Sequence, residues 1–112
     1  EFSFPKNCWL GATWDGLPLT EHNVQILQNA GNDNLKFISF EPLLRQFFGG
    51  LNGIDWIIIG DLTGHLFDQK EFDQVRLWAC DILSLAEKHP KKILIFFKNQ
   101  LGATYPQREF PR

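Results

Sequence analysis

The sequence is short of most features that would assign it a chemistry. Its two cysteines, Cys8 and Cys80, match neither a metal-ligand spacing nor a disulfide framework, which favours a reduced, cytosolic setting over secretion. No stretch approaches the ~20 consecutive apolar residues of a membrane span, and the opening EFSFPKN lacks the long apolar core of a signal peptide. Excess charge is missing too. Eleven basic against thirteen acidic side chains leave a formal charge of -2, so no basic field exists to hold a phosphate backbone, and neither nucleic acid nor a membrane is expected as a partner. No repeat, low-complexity segment or linker divides the 112 residues. A single domain of this size buries roughly 65% of the surface that its unfolded chain exposes.

What is present is apolar and periodic. Four short runs stand out: CWLGAT (8–13), KFISF (36–40), IDWIIIG (54–60) and KILIFF (92–97). The last two are too continuously apolar for a strand with one wet face, and such runs are typical of parallel strands. Between the first two runs, Thr20 is a good N-cap, Val24, Leu27 and Ala30 share a helical face, and Gly31 ends the segment. Between the last two, Asp68 and Glu71 form a capping-box-like start. Phe72, Val75, Ala79, Ile82 and Ala86 then follow at helical spacing before His89-Pro90. The middle connection, EPLLRQFFGGLNG, has room for only a turn or two of helix before Gly49-Gly50 and reads as a loop. The expectation is an α/β domain of about four mainly parallel strands, as a small open sheet or an arc of a parallel barrel. An extended arm is expected from about residue 103, with Tyr105-Pro106 and Phe110-Pro111 laid over its own core or, the favoured reading, over a partner.

In such folds the loops after the strands share one rim, where ligands bind. Each run ends there in a polar group: Thr13, Trp14 and Asp15 after the first, Glu41 after the second, Asp61, Thr63 and His65 after the third, and Lys98 after the fourth. These are the candidate ligand-binding residues. Pro42 keeps Glu41 extended and aims its side chain. Lys98 beside Asp61 or Glu41 either neutralises a carboxylate or holds an anionic substrate, and a purely structural Glu41–Lys98 pair is the competing reading.

Stronger motifs are missing. The turn Gly60-Asp61-Leu62-Thr63-Gly64 could present backbone N–H groups to an anion, but it lacks a dinucleotide fingerprint and the lysine of a phosphate-binding loop, and an ordinary loop is the commoner outcome. His22 reads as solvated, His89 as a helix C-cap, Cys80 as a small core residue, and Trp9 and Trp56 as core or barrel-wall aromatics. Trp14 is the tryptophan placed near a ligand. No metal triad assembles, no cofactor is expected, and no serine or cysteine has a nucleophile motif around it.

Taken in order, NCWLGATWDG, KFISFEPLL, GIDWIIIGDLTG and ILIFFKNQLG resemble the C-terminal half of a phage-associated family of uncharacterised proteins, whose members look like radical S-adenosylmethionine enzymes with a partial TIM barrel. Thr13, Glu41 and Lys98 match the family pattern, and Asp15 stands at an acidic position. Two departures matter. The family's N-terminal cysteine cluster has no counterpart, and Cys8 and Cys80 cannot supply the three thiolates of such a cluster, so radical chemistry is not expected of this chain alone. Where the family has Gly-Gly-Glu-Ser-Gly, this chain has Gly60-Asp61-Leu62-Thr63-Gly64. Half a barrel leaves strand edges and an apolar face unpaired, and a homodimer is therefore expected.

Three functions follow as expectations. One is a module that binds a small anionic or nucleotide-like ligand at the rim, as a mobile-element remnant. The second is an interaction protein that uses an open sheet edge. The third is a cluster-free enzyme with Glu41 or Asp61 as base and Lys98 as electrostatic stabiliser.

Overall fold

The computed structural model describes residues 4–30, 33–61 and 68–111. Four strands, β1 (Leu10–Trp14), β2 (Lys36–Phe40), β3 (Trp56–Gly60) and β4 (Leu94–Lys98), form one sheet in the order β1-β2-β3-β4, and every pairing is parallel. Helix α1 (Pro18–Gln28) links β1 to β2, and α2 (Gln69–Lys88) lies between β3 and β4. A short α3 (Asn99–Thr104) follows β4 directly and takes up the first residues of the expected arm.

Sequential strand order has a direct consequence. When each parallel strand is laid beside the one before it, right-handed crossovers put every connection on the same face. The burial pattern follows that rule. Ala12, Ile38, Ile57 and Ile95 lie in register across the sheet, as do Trp14, Phe40, Ile59 and Phe97. Both rows belong to the core that also holds Val24 and Leu27 of α1 and Val75, Ala79, Ile82 and Ala86 of α2. The sheet is singly wound, with no point at which the strand order reverses. An open sheet built this way is also what one arc of a parallel barrel looks like, which is why periodicity alone left the two undivided.

The connection from β2 to β3 carries no helix, as expected from Gly49-Gly50. It still does the work of one: Leu43, Phe47, Leu51 and Ile54 are all buried in the core. Phe47 stacks edge-on to both Phe40 and Trp14, at 4.9 and 5.1 Å between ring centres.

Local signals held in part. Asp68 is the N-cap of α2, its Oδ1 accepting from the Glu71 N–H at 2.8 Å, and His89 closes the helix before Pro90. Helix α1 starts earlier than the Thr20 signal implied. Leu17 is its N-cap and Pro18 its first residue, a position where proline's missing N–H costs nothing. Thr20 lies inside the first turn, with its hydroxyl oxygen 2.9 Å from the Leu17 carbonyl oxygen. The expected stop at Gly31 lies outside the described residues, and the helix ends at Gln28 with Asn29 as C-cap.

The arm is hydrogen-bonded to its own chain. Phe97 N–H donates to Gln107 O at 3.1 Å, Glu109 N–H donates to Ile95 O at 2.9 Å, and Phe96 and Arg108 form an antiparallel bridge. The outer edge of β4 is thereby covered.

Candidate functional site

The face of the sheet away from the helices carries the other half of the alternation: Gly11 and Thr13 on β1, Phe37 and Ser39 on β2, Trp56, Ile58 and Gly60 on β3, and Leu94, Phe96 and Lys98 on β4. Its lower part is aromatic. Trp56 is the hub, with Phe37 at 5.5 Å, Trp9 at 5.9 Å and Phe110 of the arm at 5.8 Å between ring centres, and its indole Nε1 donates to Glu109 O at 2.9 Å. Phe110 also packs on Phe96 at 4.9 Å. The arm therefore covers the bottom of this face, and among the described residues no further layer lies over the top, at the carboxyl ends of the strands.

At the top the polar groups converge. Glu41, the residue after β2, continues the Phe37–Ser39 row, and its Oε1 receives Lys98 Nζ at 2.8 Å. Ser39 Oγ lies 3.4 Å from Glu41 Oε2, so both carboxylate oxygens face a donor. Thr13 stands beside Ser39 in register, on the exposed edge strand. Between Lys98 and Glu41 runs β3, whose last residue, Gly60, pairs with Lys98. A side chain at Gly60 would stand between the two charges. With none there, the lysine reaches across the strand. The two side chains are 40% and 23% exposed, so the pair is open to solvent on one side and contributes at most ~1 kcal/mol to stability.

A second cation arrives from the arm. The Arg108 guanidinium lies 5.4 Å over the Phe96 ring, one step down β4 from Lys98 on the same face. It donates to the carbonyls of Gly102, Tyr105 and Gln107. Gly102 permits this approach, since a Cβ there would collide with the guanidinium. At this rim Lys98 and Arg108 outnumber the one carboxylate of Glu41.

The sequence candidates thus divide. Glu41 and Lys98 meet in an ion pair, and Thr13 stands on the same face beside Ser39. Trp14 does not join them: it ends β1 facing the helices, is 2% exposed, and its indole donates to Glu21 Oε2 at 2.6 Å. A strand-end tryptophan on the even-numbered row of β1 is a core residue because that row faces α1. Asp61 is also separated, fully buried in step with Ile57 and Ile59 on the helix-covered side. Lys98 accordingly pairs with Glu41, and not with Asp61. Thr63 and His65 lie outside the described residues.

Asp15 is engaged locally: Oδ1 accepts from the Leu17 N–H at 3.0 Å and from the Thr20 hydroxyl at 2.9 Å. These hydrogen bonds, the backbone one first, hold its carboxyl below the ordinary value of 3.8. A depressed folded-state pKa adds stability above the unfolded value and loses it as pH falls through the folded one. The expected result is that Asp15→Ala and the parent chain differ in urea midpoint at pH 7. The difference should shrink as pH drops below about 3.8, and a gap that stays constant down to pH 2 would contradict the assignment.

Two further readings change. Cys80 is exposed on α2, not buried, with Sγ 3.0 Å from the Tyr105 hydroxyl, whose pKa is raised by burial and then by that thiol. Trp9 is 47% exposed, while Trp56 is buried as expected. His22 is exposed. Two residues of the candidate site went unread in the sequence. Ser39 was legible, being the polar residue two before Glu41 in an apolar strand and hence on the same face. Arg108 was not, because only the folding back of the arm brings it to the rim.

Among the described residues no three histidine, cysteine or acidic side chains sit together as a metal site, and no helix is long and apolar enough to cross a membrane. The model of one protein family, "Protein of unknown function (DUF5131)", matches residues 1–110. The chain belongs to that family. No curated protein and no solved structure matches it.

Proposed function

We propose that this member of an uncharacterised family is a binding module whose helix-free sheet face takes a small anionic or nucleotide-like ligand at the carboxyl ends of the strands. The observation that carries this reading is the placement, at the carboxyl end of that face, of Lys98, Glu41, Ser39 and Thr13 from three separate stretches of chain, with Arg108 beside them. An anion would exchange Glu41 for its own oxygens on Lys98, and the hydroxyls of Thr13 and Ser39 can donate to or accept from it. Ile58, on the same face of β3, offers an apolar contact for a flat base.

The singly wound strand order also supports a relationship to barrel proteins of the radical S-adenosylmethionine type, of which this chain would keep one arc and its rim. A phage or mobile-element origin would fit such a remnant.

The test is a thermal-shift panel of S-adenosylmethionine, adenosine nucleotides and inorganic phosphate. A ligand present at 100 times its dissociation constant stabilises by about 2.7 kcal/mol. For a domain of this size that is a rise of roughly 10 °C. An unchanged melting temperature with every member of the panel would overturn the reading.

A further inference from the structure

The loop from β2 to β3 ends in a turn whose centre neither the core nor the rim uses. Ile54 N–H donates to Leu51 O at 3.1 Å, closing a four-residue turn around Asn52 and Gly53. Leu51 and Ile54 are buried in the core, whereas Asn52 and Gly53 are both exposed. Gly53 has φ +80°, a backbone conformation that favours glycine. Of the seven asparagines in the chain, Asn52 alone precedes a glycine.

This turn sets a carboxamide next to a backbone amide nitrogen and engages neither. Among the described residues no hydrogen bond holds the Asn52 side chain or the Gly53 N–H. Asn52 is tied through its main-chain carbonyl, which accepts from Gln28 Nε2 at 3.2 Å. Other asparagines are held by their carboxamides: Asn29 Nδ2 donates to Gln25 O, and Asn34 Nδ2 to Pro5 O and Cys8 O. Gly53 also leaves the approach to its nitrogen open. It has no side chain, and the nearest atom to where a Cβ would stand is Gln28 O, at 3.7 Å.

We propose that Asn52 is a site of spontaneous covalent modification, closing to a succinimide with Gly53 and reopening as isoaspartate or aspartate. The Gly53 nitrogen loses its proton to solvent and attacks Asn52 Cγ. A C–N bond forms there as the Cγ–Nδ2 bond breaks, and the departing nitrogen takes up a proton and leaves as ammonia. Water then opens the ring. Attack at Cγ restores the ordinary backbone with an aspartate, and attack at the main-chain carbonyl carbon leaves the chain running through the former side chain as isoaspartate. The isoaspartyl link adds one atom to the path between Leu51 and Ile54 and turns the carbonyl that Gln28 holds into a free carboxylate. With both flanking residues fixed in the core, the extra atom breaks the turn and loosens the loop over β2. This inference stands on the turn alone and does not rest on the ligand reading.

The test is to incubate the folded chain at mildly alkaline pH and compare tryptic digests with those of a fresh sample by mass spectrometry. The tryptic peptide 46–70 contains Asn52 as its single asparagine. It is expected to gain the mass difference between a hydroxyl and an amino group and to split into two chromatographic forms, faster as pH rises, while the other six asparagines stay intact. In the isoaspartyl form the Ile54 amide is expected to exchange at least tenfold faster than in the fresh chain. Asn52→Asp brings the charge without the extra atom and is expected to keep Ile54 protected. Three outcomes overturn the proposal: conversion of Asn52 only after unfolding in urea, conversion at the other asparagines to the same extent, or equal Ile54 exchange in the fresh and isoaspartyl forms.

Discussion

Phe40→Ala is expected to cost ~3–5 kcal/mol of folding stability, a large share of the ~5–15 kcal/mol that a domain of this kind possesses. Phe40 is fully buried in the second residue row of the helix-covered face, between Trp14 and Ile59 on the neighbouring strands. Its ring meets Phe47 at 4.9 Å and Trp14 at 5.7 Å. Truncation removes the transfer energy of the ring and leaves a cavity that cannot collapse, because the walls are rings held by the sheet on one side and by the 41–55 loop on the other. The matched control is Phe48→Ala. Phe48 is the next residue after Phe47 but is 85% exposed, and its loss is expected to change stability by no more than ~0.5 kcal/mol. Urea denaturation of both variants decides the matter. Equal midpoints would mean that the loop does not pack as described, and with it the whole cover of β2.

The second large effect concerns binding. Lys98→Ala is expected to weaken the ligand identified by the thermal-shift panel by about 10-fold to 100-fold, since a charge-assisted hydrogen bond contributes ~1.5–3 kcal/mol and each 1.4 kcal/mol is tenfold. Glu41→Gln is expected to act in the opposite direction for an anion. It removes the carboxylate that competes for Lys98 while keeping a side chain of the same size, so affinity should rise or hold. The pair of variants separates a binding site from a structural ion pair. If the two charges serve only each other, both substitutions will shift stability by at most ~1 kcal/mol, in the same direction, and neither will alter binding. Isothermal titration with each variant reads the difference directly.

How much of this could be read beforehand differs from residue to residue. Strand positions were legible because continuous apolar runs such as WIIIG have one plausible use in a chain this short, and all four were within about two residues of their final bounds. The 69–88 helix was legible because Asp68 and Pro90 mark its ends and Val75, Ala79, Ile82 and Ala86 its buried face. Glu41 and Lys98 were legible as strand-end charges. Their meeting was not, since it depends on Gly60 being the residue between them, which is a fact of register. Trp14 was misplaced for the same reason: one residue along a strand reverses the face, and no local signal says which face the helices take.

The amino-acid sequence by itself determined the alternation of strands and helices, the loop at 41–55, the want of a cofactor motif and the set of polar strand ends. Those follow from periodicity and from the fixed preferences of glycine, proline and capping residues, which act over a few neighbours. Only the tertiary structure decided that all the crossovers lie on one face, that Thr13, Ser39, Glu41 and Lys98 share the other while Trp14 and Asp61 do not, and that the arm closes β4 and brings Arg108 to the rim. Each of these is a contact between residues far apart in sequence. Such contacts are selected by burial of the whole sheet, a sum over the chain that no short stretch of it contains.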